Sequence, residues 1–182
     1  PGMVELMGGT ERVIADLDTM FDKTPTDFLW NAYYNHANEP VHHVPFLYNH
    51  LGQPWKTQKW SSFICDKAYK NKVEGLVGNE DVGQMSAWYV LAACGLYPVC
   101  PGDTRYEISS PVFEKTEIQV GEGNTFIIRA NRNTPENTYI QSAKLNGMDY
   151  TRCYLDYKDI MKGGVLELEM GPEPNTNWGV NN

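Results

Sequence analysis

Glu80, Asp81 and Gln84 lie in one short polar stretch, Gly78-Asn79-Glu80-Asp81-Val82-Gly83-Gln84, which runs directly into the largely apolar segment Met85 to Val90. Carboxylates on a loop at the mouth of a buried helix can be kept partly dehydrated. Dehydration and close neighbours tune an acid or base toward working pH. The same residues have a structural use. Asp81 followed three positions later by Gln84 fits a capping box, in which the acid accepts the Gln84 backbone N–H and the amide reaches back. Residue types alone leave both readings open.

A second polar cluster, Asn35-His36-Ala37-Asn38-Glu39-Pro40-Val41-His42-His43, follows the aromatic run Phe28 to Tyr34. Glu39 there could grip substrate hydroxyls, and neighbouring rings could pack on pyranose faces, as in a sugar site. Equally, Glu39 suits the positive end of a helix dipole and the aromatics suit a core. All four histidines, His36, His42, His43 and His50, fall in this region and invite a zinc reading. The spacing suits it poorly. On a regular helix His42 and His43 point about 100° apart, and only His43 and His50 share a face.

These clusters need elements to hold them. Met3, Val4, Leu6 and Met7 predict a short helical turn ended by Gly8-Gly9. Val13, Ile14, Leu17, Met20 and Phe21 predict an amphipathic helix from Thr10, closed by Thr24-Pro25-Thr26. Pro40 suits a first helical position, and Val41, Val44, Leu47, Tyr48 and Leu51 predict a helix reaching Gly52, with Pro45 in its first turns. Pro54 opens the next, with Trp60, Phe63, Ile64 and Ala68 on its inner side. The helix from Gln84 to Gly95 is apolar nearly all round and is expected to be buried.

Helical spacing stops at the breaker cluster Tyr97-Pro98-Val99-Cys100-Pro101-Gly102-Asp103. Residues 1–100 are therefore expected to be a helical unit and 101–182 a β unit, giving an α+β chain. Thr116 to Val120 and Val165 to Met170 alternate with period two, while Thr125 to Ala130 and Tyr139 to Leu145 are strand-like. Asn146-Gly147 predicts a type I′ hairpin turn, and the second unit is expected to be antiparallel.

A net charge of −8 and the lack of any Lys or Arg run exclude a nucleic-acid partner as an expectation. The most apolar run, Trp88 to Val99, falls short of the roughly 20 residues that span a bilayer, so no membrane segment is expected. Cys65, Cys94, Cys100 and Cys153 form no C-x-x-C pair. The chain lacks a start methionine and reads as a piece of something longer.

Five stretches in order, Pro1 to Gly9, Asn38-Glu39-Pro40 with His42-His43 and Leu47-Tyr48-Asn49, Gly52 to Gln58, Gly78 to Tyr89, and Gly95 to Gly102, resemble C-terminal motifs of glycoside hydrolase family 92. Members are calcium-dependent exo-α-mannosidases that invert the anomeric centre. The resemblance implies the final helices of an (α/α)6 barrel followed by a small antiparallel β segment, completed by an N-terminal remainder of the same enzyme. It implies Asp81 as the base that activates water, with Asn79 where some members place a second Asp to help hold that water. Asn38 and Glu39 would contact the sugar on the leaving-group side, with α-1,2-linked mannose in glycans as the expected substrate. Ca2+ would sit against the mannose O2 and O3 hydroxyls. The general acid belongs to a motif upstream of Pro1, so the piece alone is expected to be inactive, with inner faces such as Trp88 to Cys94 uncovered. A periplasmic or secreted enzyme follows by the same inference. The competing class is a non-catalytic carbohydrate-binding or structural fragment.

Overall fold

The computed structural model describes residues 2–180. Helix α1 (Gly2–Leu6) and helix α2 (Thr10–Asp22) are separated by Gly8 and Gly9, both at positive φ. Val13 and Phe21 of α2 point inward. The expected helix over 41–51 is not continuous. It is split into 3-10 turns at Glu39–Val41 and Val44–Phe46, followed by a single α turn, α3 (Leu47–His50). Pro40 and Pro45 each open one of the 3-10 turns, because a proline inside a longer helix would remove an N–H and clash with the carbonyl four residues back.

Helix α4 (Pro54–Ala68) begins at Pro54, where a missing N–H costs nothing. Helix α5 (Gln84–Ala93) follows the acidic loop. Contrary to the expectation of burial all round, α5 covers Met85, Trp88, Ala92 and Ala93 but leaves Ser86, Ala87 and Val90 exposed. Trp88 itself is fully buried within this chain, so the expected uncovering does not extend to it. Phe21, Phe46, Tyr48, Ile64, Met85 and Trp88 form the centre of the helical core.

Eight strands follow: β1 (Leu96–Tyr97), β2 (Arg105–Ile108), β3 (Lys115–Gln119), β4 (Thr125–Asn131), β5 (Tyr139–Leu145), β6 (Met148–Asp149), β7 (Tyr154–Asp156) and β8 (Gly164–Gly171). Helix α6 (Tyr157–Met161) lies between the last two. One sheet has the order β1-β2-β7 and the other β3-β4-β8-β5-β6. The second is mixed and not antiparallel throughout, because β4 and β8 run parallel at its centre. A parallel pair needs a long connection, and β5 through α6 supplies it. Phe126, Ile128 and Ala130 of β4 face the same core as Leu166, Leu168 and Met170 of β8. Asn146 and Gly147 both take positive φ and close the β5–β6 hairpin.

Two buried polar ties join the helices to the strands. The side-chain oxygen Oε1 of Gln58 on α4 accepts the Ile140 backbone N–H of β5 at 2.9 Å. Asn49 of α3 donates to the Glu107 carboxylate at 2.8 Å and to the carbonyls of Ile108 and Cys153. Glu107 on β2 is almost wholly buried and also meets the His50 imidazole at 3.2 Å. That hydrogen bond and the charge behind it raise the His50 pKa above its ordinary value, against the opposing effect of burial. A raised histidine stabilises the fold below its unfolded pKa, near 6.5, and the contribution fades as pH rises through the folded value. Glu107→Gln keeps an oxygen for Asn49 while removing the charge that His50 meets. The gap in thermal midpoint between wild type and Glu107→Gln should therefore widen as pH falls from about 8 to about 6; equal gaps across that range would disprove the linkage.

Candidate active site

Backbone geometry sets the acidic loop. Asp81 and Val82 sit at φ 48° and 59°, and Gly83 follows at 91°. Left-handed conformations cost non-glycine residues roughly 1–2 kcal/mol each, and a β-branched valine adopts one only when its surroundings impose it. Gly83, not Asp81, is the N-cap of α5, and the Asp81 backbone carbonyl, not its side chain, accepts the Gln84 N–H. The capping-box reading of Asp81 is therefore overturned. Glu80 does that work, its carboxylate accepting the Ser86 backbone N–H at 3.0 Å and the Ser86 hydroxyl at 2.8 Å. With Glu80 committed to the helix, Asp81 is released from it.

Asp81 is turned toward Glu39. The two carboxyl groups come within hydrogen-bonding reach, which brings together residues 42 positions apart. Glu39 is held below the usual carboxylate range by its own backbone N–H and then by the Asp81 carboxyl. Asp81 is raised above its usual range, first by that same contact, then by burial and by repulsion from the Glu39 charge. Glu39 Oε2 is buried and receives no N–H or O–H donor. Asn38 stands beside it in extended conformation, half-buried, and its carbonyl accepts the Val41 N–H. Asn79 is exposed on the acidic loop, two positions before Asp81.

Beneath the pair lies a ladder of neutral imidazoles. His36 is fully buried between the Tyr34 hydroxyl at 2.8 Å and the Tyr69 hydroxyl at 2.7 Å. Tyr69 O–H donates to the Met85 carbonyl, so its oxygen accepts from His36 Nε2–H, and Tyr34 O–H donates to His36 Nδ1. His42 stacks on His36 at 4.6 Å, donates from Nε2 to the His36 carbonyl, and accepts from the Gln84 amide at 3.2 Å. Trp88 donates to the His42 carbonyl at 2.9 Å. Burial lowers the pKa of both histidines, most strongly that of His36. Each nitrogen of His36 and His42 thus has a protein partner, and both rings are structural members of the site. Of the aromatic run, Phe28 and Tyr34 are core, whereas Trp30 is exposed.

A hollow of about 480 Å³ opens beside Glu39 and is lined by Pro40, His43, Gln84, Leu91, Tyr97 and Val99 among others. A larger one of about 630 Å³ lies between α4 and the 132–139 loop, and it includes none of the four expected site residues. The chemistry favours the smaller. Sequence reasoning missed the ladder, the Glu80 cap and the face-to-face carboxyls; only the shared glycine-bounded loop hinted that Asp81 is specially placed.

The sequence matches the glycosyl hydrolase family 92 catalytic domain over residues 1–172. The chain belongs to glycoside hydrolase family 92. An uncharacterized secreted glycosidase of Arthroderma benhamiae is 34% identical over 181 residues, which are 98% of this chain and 22% of that protein. A family 92 α-mannosidase of Bacteroides thetaiotaomicron superposes with TM-score 0.88 at 39% identity, covering 95% of this chain and 23% of that one. A family 92 inverting mannosidase from the same organism gives 0.88 at 40%, covering 99% and 27%. The chain spans about a quarter of the length of these relatives. Pro1, which opens the first matching motif, lies outside the described residues.

Gly78 fixes the distance between the two carboxyl-bearing segments. A Cβ there would stand 2.7 Å from the Ala37 carbonyl oxygen and 2.8 Å from its Cβ, whereas a Cβ on Gly83 would meet open space. Both glycines have positive φ. Gly83→Ala should cost about 1 kcal/mol for conformation alone, and Gly78→Ala about 2 kcal/mol or more once overpacking is added. Urea unfolding of the two variants checks the order; equal losses would mean that the Gly78–Ala37 contact does not hold the loops together.

Proposed function

We propose that this chain carries the water-activating side of a calcium-dependent, inverting exo-α-mannosidase that releases terminal mannose from glycans. The observation that carries the reading is the Asp81 carboxyl, freed from capping and raised above its usual range beside Glu39, which lines the hollow, in a chain of this family. A base with raised proton affinity is the better proton acceptor from water. In the reaction Asp81 takes a proton from water as the water oxygen bonds to the anomeric carbon from the face opposite the leaving group. Asn79 assists in holding that water, while Asn38 and Glu39 meet the sugar on the leaving-group side, with α-1,2 linkage as the working substrate.

Glu39 does not suit the role of acid. Inverting enzymes separate their two carboxyl groups by about 6.5–9.5 Å to leave room for water, and Glu39 touches Asp81. The acid is assigned to a segment beyond these 182 residues, in the N-terminal remainder that would complete the barrel. Calcium belongs to the proposal for the whole enzyme, where it would polarise and orient sugar hydroxyls. Among the described residues no group of three or more His, Cys, Asp or Glu side chains comes together to hold a metal ion. No step here depends on it. A periplasmic or secreted location is supported by the secreted relative. Among the described residues no helix is long and apolar enough to cross a membrane.

In the whole enzyme, Asp81→Asn should lower kcat about 10²- to 10⁴-fold. The thermal midpoint should hold, because the side chain caps nothing and Asn tolerates a left-handed backbone. Mannose release from a disaccharide and thermal unfolding, measured together, provide the check. Near wild-type turnover would remove Asp81 as the base and leave the chain as a carbohydrate-binding or structural part.

A further inference from the structure

We propose that Glu80 and Ser86 form a latch that holds Asp81 in place for the reaction. Glu80 is then a positioning residue, in a role that rests on the reading of Asp81 as base given above.

The need for a latch starts with the backbone. Asp81, Val82 and Gly83 are consecutive residues at φ 48°, 59° and 91°. Glycine adopts such a φ without strain, but a β-branched valine does not. The Val82 side chain is fully exposed, so no packing of its own offsets that strain. A conformation of this kind persists where other contacts over-determine it.

Those contacts lie at the two ends of the loop. At its start Gly78 packs on Ala37 and leaves no room for a Cβ. At its end α5 begins with Gly83 as N-cap, and a glycine has no side chain to accept the N–H groups of the first turn. Glu80 supplies what the glycine lacks. Its Oε1 accepts the Ser86 backbone N–H at 3.0 Å and its Oε2 accepts the Ser86 hydroxyl at 2.8 Å, so one residue of the helix grips both oxygens. The Glu80 and Asp81 backbone carbonyls add longer bonds, from the Met85 N–H at 3.2 Å and the Gln84 N–H at 3.3 Å. Bonds to an ionised carboxylate are the stronger class, and here they are also the shorter ones. The chain from Glu80 to Ser86 is thus closed by its own side chains, with Asp81 and Val82 inside the closure.

The latch bears on position more than on stability. Neither Glu80 nor Ser86 belongs to the buried cores, so loss of the grip leaves those cores intact. Without it Val82 is free to return to negative φ, and Asp81 moves with it. A shift of about 1 Å in a reacting group can cost on the order of 10²-fold in rate. Glu80 therefore acts on turnover through Asp81 and needs no contact of its own with substrate.

The test uses the whole enzyme, with kcat and backbone amide exchange of segment 78–90 both measured well below the thermal midpoint. Glu80→Ala should lower kcat by about 10- to 10²-fold and speed exchange across that segment. Glu80→Gln should keep most of kcat, because its amide oxygen still accepts the Ser86 N–H and its amide group can donate to the hydroxyl. Adding Val82→Gly to Glu80→Ala should restore part of the turnover and part of the protection, since glycine holds the left-handed backbone without help. A residue that serves only as a helix cap would not respond to that second change. Full turnover in Glu80→Ala, equal losses in Glu80→Gln and Glu80→Ala, or exchange unchanged by Glu80→Ala would overturn the latch. If Glu80→Ala fails to fold, Ser86→Ala and Ser86→Thr decide in its place: the first drops the hydroxyl bond and should lose turnover and protection, while the second keeps it and should resemble wild type. Asp81→Asn separates the two readings. Turnover retained there removes the base while the exchange rates still judge the latch; turnover lost there but intact in Glu80→Ala keeps the base and removes the latch.

Discussion

The site depends on two imidazoles that must stay neutral. His36 and His42 are stacked in the interior with each nitrogen bonded, and they tie four parts of the chain to one another: the Tyr34 loop, the Glu39 turn, Tyr69 at the end of α4, and Gln84 with Trp88 on α5. A buried cation here would face donors at His36 Nδ1 and His42 Nδ1, where Tyr34 O–H and the Gln84 amide already point inward. Burial lowers both pKa values and so protects the arrangement. Because folded values below the unfolded one favour the fold only while the rings are neutral, this part of the structure weakens as pH falls below about 6.5. His50 behaves in the opposite sense, since its carboxylate partner favours the charged ring. The His36–His42 pair thus loses stability in acid, whereas the His50 contact gains it.

On top of this frame the segments that carry Glu39 and Asp81 are brought side by side. Three devices cooperate: the prolines that break 39–50 into tight turns, the left-handed backbone at Asp81 and Val82, and the glycine contact at Gly78. Glu80 is the complement of this arrangement. By capping α5 through Ser86 it satisfies helix N–H groups that Asp81 would otherwise have been drawn to. Neighbouring acids of similar type consequently have different tasks, set by which backbone groups each can reach.

The β part is fastened to this frame by buried polar contacts as well as by packing. Asn49 and Glu107 meet where α3 crosses β2, and Gln58 supplies β5 with an acceptor it lacks on that side. Such ties specify how the layers sit, because a buried donor or acceptor without its partner costs about 1–3 kcal/mol. They also connect the two sides of the breaker segment after Tyr97. Leu96 packs with the strands while Tyr97 packs with the helices, and both belong to β1.

The sequence by itself determined the local elements and the family. Apolar spacing set α2 and α4, proline and glycine punctuation set their ends, and Asn146-Gly147 set its hairpin; these follow from short-range sterics and burial periodicity, which a linear reading can see. The motif order around Asn38-Glu39-Pro40 and Gly78 to Tyr89 likewise identified glycoside hydrolase family 92. Other features were decided only in three dimensions. The helix over 41–51 was broken because two prolines outweighed its apolar spacing. Strands β4 and β8 became parallel neighbours because pairing between distant segments is a matter of topology. The His36 ladder joins residues from 2 to 46 positions apart, and the Glu39–Asp81 contact joins residues 42 apart. No periodicity records such meetings, since they arise from the packing of whole elements. The split of duties between Glu80 and Asp81 turned on the left-handed backbone at Asp81 and Val82, which residue types do not encode.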